Sequence, residues 1–131
     1  MLRGLANVSF FAADLEEAGR WYTELLGFEP YFSVPGYLEF RIGDYAHELG
    51  IIDARYAPPG PGEPGGAIAY WHVDDVRSTL DRLTELGASV REPIRERGHG
   101  FVTASVVDPF GNVLGVMQNP HYLEILERDQ A

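Results

Sequence analysis

Residues 14–28 read DLEEAGRWYTELLGF, and residues 74–88 read DDVRSTLDRLTELGA. Both stretches open on aspartate, carry an amphipathic middle and close on a Leu-Gly pair. In the first, Leu15, Ala18, Tyr22, Leu25 and Leu26 recur at helical spacing and share one face. Asp14, with Glu17 three residues on, has the spacing of a capping box, which satisfies backbone N–H groups that a helix start leaves open. Gly27 supplies the left-handed residue that ends a helix without a Cβ clash. In the second stretch Asp74 or Asp75 caps, Val76, Leu80 and Leu83 make the stripe, and Gly87 terminates. Asp14 and Asp74 are 60 residues apart, and so are Gly27 and Gly87. One offset shared by a cap and a terminator marks an internal repeat.

Strand-like runs flank each helix. Residues 5–11 and 67–73 precede them. Residues 29–33, 37–42 and 46–53 follow the first, with Pro35-Gly36 and Gly43-Asp44 as turns. Residues 89–95, 101–108 and 112–118 follow the second, with Gly98-His99-Gly100 and Pro109-Phe110-Gly111 as turns. Each half therefore reads β-α-β-β-β. Between them, eight of the nine residues 58–66 are Pro or Gly, and neither a helix nor a strand runs through such a stretch. The expected organisation is a single domain over residues 1–131: module one at 4–57, a linker at 58–66, module two at 67–118 and a tail at 119–131. Residues 121–128 of the tail are expected to form a short helix.

Composition narrows the function. A chain of 131 residues, 45% hydrophobic and 23% charged, suits one globular domain. Cysteine is absent, which excludes disulfides, thiolate metal sites and cysteine nucleophiles. No apolar leader and no run near the length of a membrane span are seen, so the expected setting is cytoplasmic, with no membrane partner. Twenty acidic residues face ten basic ones, for a net charge of −10, and all ten bases are arginine. That charge repels nucleic acid; it serves solubility or, where it lies near a site, favours a cationic ligand. The missing lysine excludes Schiff-base chemistry. Neither a glycine-rich phosphate loop, a Ser-His-Asp signature nor a basic patch stands out.

The tandem βαβββ halves, the Asp-Leu and Asp-Val helix starts, Leu26-Gly27-Phe28 and Asp108-Pro109-Phe110-Gly111-Asn112 together resemble the vicinal oxygen chelate superfamily. That family includes glyoxalase I, extradiol dioxygenases, fosfomycin-resistance thiol transferases and bleomycin-resistance proteins. The resemblance covers about residues 4–118. It implies an α+β fold in which tandem βαβββ modules form a curved, open eight-stranded sheet structure with helices outside. It also implies a ligand on the concave face and a homodimer whose second subunit completes the pocket.

Metal-dependent members of the family hold a divalent ion on four inward strand positions and leave open coordination for substrate oxygens. The resemblance carries these onto Asn7, onto Glu48 (or His47 with a one-residue slip), onto Ile68 (or Ala67) and onto Gly115. Glu48 is the one strong ligand, whereas a catalytic mononuclear site usually needs three. The expectation is no cofactor and no metal, with Glu48 and His72 as the one rearranged pair left open.

Strand alternation sorts the remaining side chains. The inward set is Asn7, Ser9, Phe11, Glu48, Gly50, Ile52, Ile68, Tyr70, His72, Val113, Gly115 and Met117. The opposite parity holds Val8, Phe10, Leu49, Ile51, Leu114 and Val116, which lie under the helices. Asn7, Ser9, Phe11, Glu48, Tyr70, His72, Gly115 and Met117 are the expected ligand-binding residues, a mix of aromatics and a few polar groups that suits a small-molecule pocket. His72 is either a general acid–base or a hydrogen-bonded interior histidine. Glu48 is either a base or a carboxylate paired with Arg41. Trp21 is expected to pack the first helix, and Trp71 to face a helix or a dimer contact. Gly98-His99-Gly100 is either a flap or a hairpin turn, and Tyr37 and Tyr45 are either pocket rim or surface.

Two functions follow from different classes. The first is a metal-independent binding module that sequesters or recognises an organic small molecule. The second is a glyoxalase-like lyase or isomerase, or a dioxygenase, using Glu48 and His72. A third, a partner-binding dimer, requires a closed cavity.

Overall fold

Alternating polar and apolar residues along 7–12 and 37–53 produce strands whose one face is apolar, and those strands make the first sheet. The computed structural model describes residues 1, 3, 5–57 and 68–130, so the linker expected at 58–66 lies outside the described residues. The chain divides into two compact units, Met1–Gly62 and Glu63–Ala131.

In the first unit β1 (Asn7–Ala12) leads into α1 (Leu15–Leu26), followed by β2 (Phe32–Val34), β3 (Tyr37–Ile42), β4 (His47–Asp53) and a single 3-10 turn at Ala54–Tyr56. The sheet order is β1-β4-β3-β2, with β1 parallel to β4 and the other pairs antiparallel. The second unit repeats the plan. Its elements are β5 (Ala69–His72), α2 (Val76–Glu85), β6 (Ser89–Gly98), β7 (Phe101–Val107), β8 (Val113–Gln118) and α3 (Pro120–Gln130). Its order is β5-β8-β7-β6, with β5 parallel to β8. The α+β class and the tandem βαβββ modules are therefore those the residues led us to expect. The eight strands make two four-stranded sheets, one in each unit.

Each helix forms where its caps dictate. Asp14 accepts from the Glu17 N–H at 3.0 Å, and Gly27, at φ 85°, sends its N–H to the Thr23 carbonyl. In the second unit Asp75, not Asp74, is the cap, accepting from the N–H groups of Arg77 at 3.0 Å and Ser78 at 3.3 Å. Replacing Asp75 with alanine is expected to lower stability by about 1 kcal/mol in urea denaturation. A change within error would show that the two bonds are matched by water.

The cores follow the strand parity. Ala18 and Tyr22 of α1 are buried with Leu38, Phe40, Leu49 and Ile51, and α1 packs against β3 and β4. Val76 and Leu83 of α2 are buried with Ala104, Val106, Leu114 and Val116. Trp21 sits edge-on to Tyr22, at 4.7 Å between ring centroids.

Three local outcomes refine the expectations. Strand β2 is short and starts at Phe32 rather than residue 29, because Pro30 has no N–H to offer a ladder. The tail helix is longer than residues 121–128: Pro120 opens it, and Asn119 Oδ1 accepts from the Tyr122 N–H at 3.1 Å. Gly98-His99-Gly100 is a hairpin turn, with positive φ at all three residues. His99 and Gly100 lie between the paired Gly98 and Phe101, as a two-residue loop of the primed type requires. The Asp108-Pro109-Phe110-Gly111-Asn112 turn is held by the buried Asp108 carboxylate, which accepts from Phe110 N at 2.9 Å and Asn112 N at 2.8 Å.

Candidate functional site

Cross-strand partners in register project to the same side of a sheet, so the pairing defines each face. In the first unit Asn7 pairs with Glu48 and Glu48 with Arg41, while Ser9 pairs with Gly50 and Gly50 with Glu39. Phe11 pairs with Ile52 and Ile52 with Tyr37. These residues line the face opposite the α1 core.

The polar groups on that face form one network. Ser9 Oγ donates to Asn7 Oδ1 at 2.6 Å, and Asn7 Nδ2 donates to Glu48 Oε1 at 3.2 Å. Asn7 Nδ2 also reaches the Tyr37 hydroxyl at 3.4 Å, and that hydroxyl donates to Glu39 Oε1 at 2.9 Å. Glu39 is buried, and its second oxygen accepts from Arg41 Nε at 3.4 Å. The Arg41 guanidinium lies 3.8 Å above the centre of the Tyr31 ring, a cation–π contact. Phe32 stands beside Tyr37, at 6.4 Å between centroids. Arg41 is thus paired with Glu39, and Glu48 is bonded to Asn7 instead. Tyr37 is half-buried and belongs to the network.

Burial, followed by the hydrogen bond to the Glu39 carboxylate, raises the Tyr37 phenol above its ordinary 10.0, with the charges of Glu39 and Glu48 adding to this and the Asn7 amide opposing it. The folded protein therefore disfavours the phenolate. Below the unfolded phenol's range this group favours folding fully, and the contribution fades as pH rises through the folded value. A difference titration of phenolate absorbance between the wild type and Tyr37→Phe is expected to isolate one tyrosine that ionises late. An ordinary titration for that residue would refute the network's hold on it.

Glycine shapes the face as well. A Cβ on Gly50 would stand 2.6 Å from the Tyr37 hydroxyl, so the bare backbone makes room for the ring. The second unit repeats the device: a Cβ on Gly115 would stand 2.6 Å from Tyr70 Cδ1. Gly115 therefore offers the Tyr70 ring to the face in place of a surface of its own.

In the second unit Tyr70, Gly115 and Ser105 share one face with His72, Met117 and Thr103. His72 Nδ1 accepts from the Asn119 N–H at 3.1 Å, and its ring stacks on Tyr122 at 4.6 Å and 12°. That bond leaves the neutral ring's proton on Nε2, which is buried without a hydrogen-bond partner; Asp74 Oδ1 is 3.9 Å away, too far to accept. Met117 Sδ accepts from Asn119 Nδ2 at 3.7 Å. Trp71 points its indole Nε1 into a buried, unpartnered position. Glu48 belongs to the first unit and His72 to the second.

Of the β3 members, sequence reading left Tyr37 open between rim and surface, named Arg41 only as a partner for Glu48, and missed Glu39. Their signal was present: residues 37–42 alternate Tyr-Leu-Glu-Phe-Arg-Ile, and the same parity argument applies to them. It also missed a local basic cluster, Arg91, Arg95 and Arg97 on β6, because the overall charge of −10 hides it. A groove of about 720 Å³ runs on the other side of the first unit, lined by Leu15, Gly19, Pro30, Leu38 and Arg55 among others, and shares none of the network residues.

The chain belongs to the Glyoxalase/Bleomycin resistance protein/Dioxygenase superfamily, whose model matches residues 4–116. It is similar to the catechol-2,3-dioxygenase of Bacillus subtilis, 29% identical over an alignment of 96 residues that covers 67% of this chain and 34% of that enzyme. The chain spans between a third and a half of the length of the curated relatives it matches. In fold it is similar to a glyoxalase-related enzyme from Fulvimarina pelagi, with a TM-score of 0.73 at 23% identity, covering 91% of this chain and 90% of that one. The fosfomycin resistance protein FosX from Mesorhizobium loti shares the fold at a TM-score of 0.68 and 19% identity, covering 95% and 99%. No helix among the described residues is long and apolar enough to cross a membrane.

The family's metal positions do not fit a divalent ion here. The first unit supplies one carboxylate, Glu48, and one amide, Asn7, already bonded to each other. The second supplies Ile68 and Gly115, which have no side-chain donor atoms to give. Among the described residues no group of three or more His, Asp or Glu is placed to hold a metal.

Proposed function

We propose that this protein binds an organic small molecule without a metal, in the manner of the family's sequestering members, and that it does so as a cytoplasmic homodimer. The observation that carries the reading is the hydrogen-bonded network of Ser9, Asn7, Glu48, Tyr37 and Glu39 on one sheet face. Fixed polar groups beside aromatic rings are the usual make-up of a small-molecule site. Two carboxylates against one guanidinium leave that face net negative, and Tyr31 already carries one cation on its ring. A cationic aromatic molecule fits that chemistry. Phe11 supplies apolar contact on the same face. On the second unit Tyr70, His72 and Met117, with Gly115 seating the Tyr70 ring, are read as a further ligand-facing surface.

The test combines metal analysis with ligand titration. Elemental mass spectrometry of untagged protein, incubated with nickel, zinc, manganese and iron, is expected to find metal near zero per chain. Benzamidine, as a cationic aromatic probe, is expected to shift the Asn7 side-chain amide resonance to saturation, and Glu48→Gln to weaken that binding about tenfold. One metal per chain, lost in Glu48→Gln, would overturn the reading. Light scattering reads the dimer.

A second reading, a glyoxalase-like lyase or isomerase or a dioxygenase, is favoured by one observation. The His72 Nε2–H is buried and unpaired, and a substrate oxygen would satisfy it. Turnover that survives in His72→Gln, which keeps a nitrogen donor, and disappears in His72→Leu would support it.

A further inference from the structure

The chain carries twice as many acids as bases, yet three of its ten arginines fall within residues 91–97. All three sit on β6, the edge strand of the second sheet, where register shifts turn successive side chains out of simple alternation. Their guanidiniums gather around one carboxylate. Glu92 Oε1 accepts from Arg97 Nη2 at 2.7 Å and from Arg95 Nε at 3.0 Å, and Glu92 Oε2 is 3.9 Å from Arg91 Nη1. Three guanidiniums meet one carboxylate there, and with Glu96, the register partner of Val102, residues 91–97 stand at about +1 by simple count.

Two of the three are also anchored to the sheet. Arg91 Nη1 donates to Ser105 Oγ at 3.3 Å, and Ser105 is fully buried. Arg97 Nε donates to Thr103 Oγ1 at 3.0 Å. Ser105 and Thr103 are the register partners of Gly115 and Met117, so both anchors lie on the face that carries Tyr70 and His72. Among the described residues, Arg91 Nη2, both terminal nitrogens of Arg95 and Arg97 Nη1 make no hydrogen bond to the protein. The side chains stay between 38% and 55% exposed.

We infer that this face of the second unit is an oxyanion site, at which Arg91, Arg95 and Arg97 take the carboxylate or phosphate group of a small organic molecule. Guanidinium presents a planar fork of donors that matches such groups bidentately. Side chains already held by hydroxyls and by Glu92 lose less freedom when they bind. Charged side chains also keep an edge strand from pairing with other chains. That role needs charge alone; it does not need two arginines fixed on Ser105 and Thr103, nor fewer carboxylates than guanidiniums. The inference concerns different residues from the network of Asn7 and Glu48 and stands without it.

The test is a titration of the full chain followed by the arginine Nε–H resonances. The probes are benzoate, phenylphosphate and inorganic phosphate, with benzamidine as the cationic control. Benzoate or phenylphosphate is expected to shift Arg91 and Arg97 to saturation, and Arg91→Gln with Arg97→Gln to weaken that binding at least tenfold. The stronger of the two organic probes tells carboxylate from phosphate; response to inorganic phosphate alone would contradict an organic ligand. Arg91→Lys and Arg97→Lys keep the charge and the fold, and are expected to weaken binding through loss of the fork. Linear shifts shared with the exposed Arg77 and Arg82, or equal affinity in the lysine and glutamine variants, would overturn the site. Benzamidine acting on Asn7 while both anions fail would reject this site and leave the first unit's reading intact.

Discussion

Phe40→Ala is expected to destabilise the protein by about 3–5 kcal/mol, the range for emptying a buried aromatic position. Phe40 has no exposed surface. Its ring stands 6.3 Å from Tyr22 of α1 and 6.3 Å from Phe28, just beyond the end of that helix, so it joins the sheet to the helix and to the chain leaving it. Phe10 extends the cluster, at 6.4 Å from Tyr22. Alanine would leave a cavity with aromatic walls that cannot close without moving α1. Against a total stability of about 5–15 kcal/mol, that loss is large. Urea denaturation of the variant checks it, and a change below about 1 kcal/mol would mean that the ring is not where the core is closed.

Gly115→Ala is expected to cost about 1–3 kcal/mol, although it adds one methyl group. The new Cβ would stand 2.6 Å from Tyr70 Cδ1 and 2.8 Å from the Ala69 carbonyl oxygen. The ring can rotate away, but the carbonyl belongs to the neighbouring parallel strand and cannot move without straining the β5–β8 ladder. Gly50→Ala is the internal control. Its nearest neighbours are atoms of the Tyr37 ring alone, at 2.6 Å and beyond. It is expected to cost less in stability and to show itself as loss of the late-ionising phenol. Thermal unfolding of both variants, with equal losses, would mean that the backbone contact at Ala69 does not decide the outcome.

The helix caps, the two modules and the side chains on β1, β4, β5 and β8 were legible because each depends on spacing of a few residues. Asp14, Gly27 and the parity of Asn7, Ser9 and Glu48 needed no partner to be interpreted. Glu39 was not read: it joins the network because β3 pairs with β4 in one register, and register is a property of two strands together. The choice between Asp74 and Asp75 was a one-residue matter that side-chain geometry decides. The arginine cluster was missed for another reason. Net charge is a sum over the chain, and it says nothing of three cations gathered on one strand.

Strand order also bears on how the chain is made. Within each unit the strand synthesised last, β4 or β8, takes an inner place between the first strand and the one before it. Until residues 47–53 leave the ribosome, β1 has no partner in its own sheet and the emerging segment can offer only the β2–β3 hairpin. Once they emerge, the first ladder closes without any residue of the second unit. The nascent chain therefore passes twice through the same vulnerable interval, an unpaired early strand awaiting its late neighbour, and each interval ends with the arrival of a strand whose glycine leaves room for a tyrosine ring.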